Sequence, residues 1–175
     1  MIIIRYSIFI TAFLFITMSS CHSSNATDFK ESLDQSERKA FNIIVGKKGS
    51  GEKKLEYLQK EDYKSAIKAV DQQAIDFDIL IADIRKLSTE DIPEGHSLKT
   101  ASVEYYQSLK ELHIFDKKEI EQQALLKTVK NDELVTAQNK LLELARQKKL
   151  LYNAVYKKEA LLHSATERFK AANGI

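Results

Sequence analysis

Internal disulfides are excluded from this chain, which holds one cysteine in 175 residues, so its fold stands on an apolar core alone. It also holds one proline and five glycines, three of them at Gly46, Gly49 and Gly51, so long stretches run without a helix breaker. Neither sign of charge dominates: 27 basic side chains stand against 25 acidic ones, a balance that leaves no electrostatic footprint for nucleic acid. What the chain does have is apolar bulk under a charged surface. Hydrophobic residues make up 43% and charged residues 30%, which rules out a disordered tail. Once a removable leader is set aside, roughly 155 residues remain, the size of one domain able to bury a core.

The leader is residues 1–20, MIIIRYSIFITAFLFITMSS. Arg5 gives it one positive charge, an apolar run follows from Ile8 to Ile16, and small residues close it, the three-part layout of an export signal. An uncleaved membrane helix fits less well, because that run is shorter than the roughly 20 residues needed to span a bilayer. Thr17-Met18-Ser19-Ser20-Cys21 resembles the lipobox of bacterial lipoproteins, in which an apolar residue and two small ones precede a cysteine. The resemblance implies that Cys21 is the lipidation site: its sulfur takes a diacylglycerol, and cleavage then frees an amine for a third acyl chain. Each buried methylene contributes about 0.8 kcal/mol, so three chains hold a protein to a membrane permanently. His22 follows rather than Asp, which under the sorting rule of Gram-negative lipoproteins implies the outer membrane. Residues 21–27, small and polar after the cysteine, read as an extended tether with a reach of about 20 Å.

Residues 28–175 read as one all-α domain. Phe29, Leu33, Ala40, Phe41 and Ile44 recur at mostly helical spacing and predict a first helix over 28–45, closed by the glycine-rich turn. Leu55 and Leu58 mark a short continuation over 52–59. Tyr63, Val70, Phe77 and Ile84 repeat every seven residues with Ile67, Ala74 and Ile81 interleaved, which draws one apolar stripe down a helix over 61–87. The segment around Pro93 breaks it, and a third helix starts near Ser97, with a slip in spacing after Phe115 that predicts a kink at 116–118. A last helix over 132–172 carries Leu134, Leu141, Val155, Leu162 and Phe169 on one seam and Ala137, Leu144, Leu151 and Ala165 on the other. Four such helices joined by short loops predict an up-and-down antiparallel bundle. The alternatives are a three-helix hairpin and a dimeric coiled coil, for which the length of the last helix speaks. The chain resembles small bacterial envelope lipoproteins that carry a four-helix domain behind the lipobox, through segments such as Glu61-Asp62-Tyr63 and the closing Phe169-Lys170-Ala171-Ala172-Asn173-Gly174-Ile175. That resemblance brings no active site with it.

No constellation of catalytic or metal-binding residues stands out. Ferritin-like di-metal sites need Glu-x-x-His pairs on two helices, and the chain has none. His163 has Glu159 and Glu167 one turn away on either side, a trio able to touch one ligand, although a solvated histidine between carboxylates is the simpler account. His96 sits beside a loop, and His113 is read as having no acidic partner. Gly46 to Lys53 lacks the Gly-Lys-Ser/Thr ending of a phosphate loop and reads as a turn. Asp71, Asp76, Asp78 and Asp83 crowd one helix as solvated positions do. Lys148 and Lys158 fall on the apolar seams, where they pair with buried acids, hold an anionic ligand, or snorkel at the stripe's edge, the last being the simplest. Tyr105, Tyr106, Tyr152 and Tyr156 are candidates to line a groove. The expectation is a non-enzymatic lipoprotein without cofactor, held at the outer membrane by its lipid and presenting a helical surface to an envelope protein. The alternative is a ligand or metal carrier that uses the bundle interior, with His163, Glu159, Glu167, Lys148 and Lys158 as ligand-binding candidates.

Overall fold

The computed structural model describes residues 20–175, so the leader, apart from Ser20, lies outside the described residues, as does the side chain of Cys21. The described chain is helical throughout, without strands: α1 Ser20–Val45, α2 Ser50–Gln59, α3 Tyr63–Lys86, α4 Gly95–Ile114, α5 Asp116–Leu126 and α6 Asn131–Asn173. Helix α5 continues α4 after a break at Phe115, and α2 continues α1 after the glycine-rich turn. Four rods therefore form an up-and-down bundle, the all-α architecture expected from the stripes.

Ion pairs mark the directions of the rods. Lys110, Lys117 and Lys127, ascending α4 and α5, meet Asp78, Asp71 and Glu61, descending the α3 rod, at 2.6, 2.8 and 2.6 Å. Helix α6 answers in the same way: Lys148 and Lys158 meet Asp116 and Glu104 at 2.7 and 2.8 Å, and Arg168 lies 3.5 Å from Glu94. Most of these pairs are partly or largely exposed, so they fix register more than they add stability. Of the aspartates that crowd α3, Asp71, Asp78 and Asp83 are spent in this way, Asp83 pairing with Lys39 on α1 at 3.2 Å, whereas Asp76 accepts a hydrogen bond from Gln72.

The interior has two parts. Under α1, Phe29, Phe77, Ile84, Leu98, Leu109 and Phe169 belong to one buried cluster, with the Phe29 and Phe169 rings 5.6 Å apart. Under α2, Ala66, Val70 and Ile120 form a second, roofed by Tyr57, Tyr63 and Ile67. On α6 the two seams behave as the spacing predicts: Ala137, Leu144, Val155, Ala165 and Phe169 are buried, and Leu151 and Leu162 pack against the first cluster.

Four expectations are corrected. The segment read as a tether is the start of α1: Ala26 is 0% exposed and opens a stripe with Phe29, Leu33, Ser36 and Ala40. Small polar residues do not oppose a helix whose buried face includes Ala26, and the path from Cys21 to Thr27 rises about 9 Å rather than 20 Å. Phe41, read as core, is 63% exposed, because neighbouring positions on a helix diverge by about 100° and Ala40 holds the inward place. On α3 the inward position is Gln73 rather than Ala74, and its amide donates to the Ile43 carbonyl at 3.4 Å. On α2, Leu55 is exposed while Ser50, Gly51 and Lys54 are buried. Small residues there allow close approach: a Cβ on Gly51 would lie 2.0 Å from the Ile44 carbonyl oxygen.

Candidate functional site

Helices α1 and α6 close the ring of rods but touch only sparsely. Between them runs an open groove of about 430 Å³. Its floor is Tyr105, Tyr106 and Leu109 of α4 with Leu162 of α6; its rims are Glu37, Phe41 and Ile44 of α1 and Glu159 and His163 of α6. A smaller hollow of about 140 Å³ continues it along α1 past Lys30, Leu33 and Asp34, sharing Glu37, Tyr106 and Leu162. The Tyr105 and Tyr106 rings meet edge to face with centroids 5.1 Å apart. Tyr106 is only 5% exposed. Burial, then the carboxylate of Glu37, raises its pKa, and burial with Glu159 and Glu37 does the same at Tyr105. Both carboxylates therefore act on the tyrosine floor. Among the described residues no cationic side chain lies within ion-pair distance of either.

Beyond the end of α1 the same side of α6 stays uncovered. Tyr152 and Tyr156 stand seven residues before Glu159 and His163, hence on the same side of the helix, and Tyr156 is 63% exposed. Leu142 and Val135 extend this exposed stripe toward the start of the helix.

A second cluster lies inside the bundle, between the two apolar clusters. Lys54 of α2 and Lys148 of α6 both bond Asp116 at the head of α5, and Lys148 also bonds Glu119. Burial pushes the pKa of Asp116 up, but the two ammonium groups outweigh it and hold the carboxyl below its ordinary value. The same bonds outweigh burial at Lys148 and raise its pKa. His113, stacked 5.9 Å from Phe77, is held down to about 4, first by burial and then by the charge of Lys54, with Asp116 opposing. Asp116 is thus the acidic neighbour of His113 that the spacing argument overlooked, three residues along and across the helix break.

The imidazole of His113 is therefore neutral in the fold, whereas in the unfolded chain it charges below about 6.5. A depressed folded pKa means that stability is complete above the unfolded value and falls as pH drops from about 6.5 to about 4. Urea unfolding at pH 7 and pH 4.5 is expected to differ by about 2 kcal/mol from this group, and His113→Gln should flatten the dependence in that window. An equal slope in the variant would assign the effect elsewhere.

Of the ligand-binding candidates from the sequence, the structure brings Glu159 and His163 to the groove rim. Glu167 instead pairs with Lys170 at 3.2 Å, so the trio does not converge. Among the described residues no group of three or more His, Cys, Asp or Glu side chains is placed to hold a metal ion. Lys148 belongs to the internal cluster, and Lys158 reaches Glu104 in a half-exposed pair. Tyr105 and Tyr106 line the groove, whereas Tyr152 and Tyr156 lie on the open continuation of α6. Spacing alone missed Phe41, Glu37 and Lys54; the adjacency of Phe41 to Ala40 was the signal for the first. No family model matches the chain, and no curated protein or solved structure matches it. No helix among the described residues is long and apolar enough to cross a membrane.

Proposed function

We propose that this chain is an outer-membrane lipoprotein, anchored through Cys21, that acts by helix-to-helix binding of a protein partner at the α1/α6 groove and the adjoining face of α6. The observation that carries this reading is three exposed aromatic side chains, Phe41 at the rim of the groove and Tyr152 and Tyr156 on the adjoining stretch of α6. Large exposed aromatics on a bundle with a packed interior cost solvation unless something covers them, and aromatic residues are the usual anchors of interfaces. The polar chemistry at the groove is two carboxylates, a histidine and tyrosine hydroxyls, with no nucleophile–base pair and no loop that cradles phosphate, which favours binding over turnover. A short helical link from the lipid confines the bundle to the membrane surface, where partners held in the same plane meet it at raised effective concentration.

The test is photo-cross-linking in intact cells with benzoylphenylalanine placed at Tyr156, against a control at exposed Ile79 on α3. Position 156 is expected to give one dominant protein product, and the control much less. Cys21→Ser, which removes the anchor, should lower the yield severalfold. Equal yields at the two positions, or no product at either, would remove the reading.

A further inference from the structure

We propose that the partner at this seam is a second copy of the chain, docked by antiparallel pairing of α6 with its symmetry mate about a two-fold axis near residue 154. This rests on the binding role argued above and names its partner.

The exposed side of α6 carries its own heptad seam, separate from the one that faces the bundle: Leu142, Ala145, Lys149, Tyr152, Tyr156, Glu159, His163 and Thr166 follow one another at alternating steps of three and four. The first half of this seam is uncovered, and the second half forms the wall of the groove. Running the helix against itself in the opposite sense joins the halves. Tyr152 then meets Tyr156 of the mate, Lys149 meets Glu159, Ala145 meets His163, and Leu142 meets Thr166 at the groove floor. In each layer the two positions of the repeat oppose one another, as antiparallel coiled coils require. Lys149 supplies the cation that Glu159 lacks, twice by symmetry. Parallel pairing would instead set Lys149 against Lys149 and Glu159 against Glu159, so charge selects the antiparallel sense.

The same docking explains the groove. The first half of the mate's α6 lies along the seam between α1 and α6, covering Phe41 and setting its apolar side chains over Tyr105 and Tyr106. A seam from Leu142 to Thr166 is about 36 Å long, enough for a continuous interface rather than a point contact. Because α1 begins at the closing end of α6, the two lipid anchors lie at opposite ends of the pair. Both bundles therefore lie along the bilayer, with the two-fold axis normal to it.

The test co-expresses two differently tagged full-length chains, one Tyr152→Cys and one Tyr156→Cys, and oxidises intact cells. Disulfide is expected between the unlike variants and far less between like ones. In detergent, sedimentation equilibrium of the lipidated protein should show a dimer that Lys149→Glu or Glu159→Lys each weakens by about tenfold or more, while the doubly swapped Lys149→Glu/Glu159→Lys regains most of the affinity. Both positions are exposed, and unchanged melting curves would confirm that the single variants fold. A disulfide between like variants, a protein that stays monomeric at 100 µM (about the weakest affinity of interest,), or charge variants without effect would each overturn the proposal. If benzoylphenylalanine at Tyr156 traps a different protein, the binding role stands and the self-pairing falls; if it traps nothing, both fall.

Discussion

Asp116→Ala is expected to destabilise the bundle by about 3–5 kcal/mol, the usual cost of removing one partner from a buried ion pair. Among the described residues Asp116 is the only acid paired with the Lys54 ammonium, whose side chain is buried. Lys148 retains Glu119, so its loss is partial. The alanine variant therefore leaves one charge at Lys54 with neither water nor counter-ion, next to His113, whose imidazole that charge already disfavours protonating. For a domain of this length the loss corresponds to a fall in melting temperature of roughly 10 °C. The doubly apolar Lys54→Met/Asp116→Leu is expected to return most of the stability, because replacing both members of a buried pair is often neutral. Thermal and urea unfolding of the two variants decide the matter. An Asp116→Ala midpoint within about 2 °C of the parent, no more than the shift for about 1 kcal/mol, would mean that water reaches Lys54. Failure of the double variant to recover would place the cost in packing rather than in charge.

That cluster shows where spacing stops being informative. The heptads of α3 and α6 identified Val70, Phe77, Ile84, Leu144, Val155 and Phe169 correctly because each helix is long and its apolar side is read many times over. Helix α2 is only ten residues, and its inward positions are Ser50, Gly51 and Lys54, which no hydrophobic pattern marks. Its packing depends on backbone approach at Gly51 and on an acid brought from Asp116, 62 residues away. Phe41 was misplaced for the opposite reason: an apolar residue was taken as inward although Ala40 already occupied that position. The groove needed three helices in space, since Glu37, Tyr106 and Glu159 are linked by no local pattern. The outer seam of α6 was legible in principle, but it is diluted by Lys149 and Glu159, the two residues that give it a direction.

Cys21→Ser is expected to abolish lipid incorporation altogether and, with it, placement in the outer membrane. In the proposed reading the Cys21 thiol is the nucleophile that accepts diacylglycerol and the lipoprotein peptidase acts only after that step, so the serine variant should keep the leader of residues 1–20. The expected readouts are two: radiolabelled fatty acid falls to background, and the protein runs heavier by the retained leader. The proposed anchor, three acyl chains at about 0.8 kcal/mol per methylene, is lost with the thiol. Stability of the domain should be unchanged, because Cys21 lies five residues before Ala26, the first buried side chain among those described. The serine variant should therefore melt with the parent while losing the outer-membrane fraction. Retention of label and normal processing in Cys21→Ser would remove the anchor, and with it the raised local concentration on which pairing of two copies at the membrane depends.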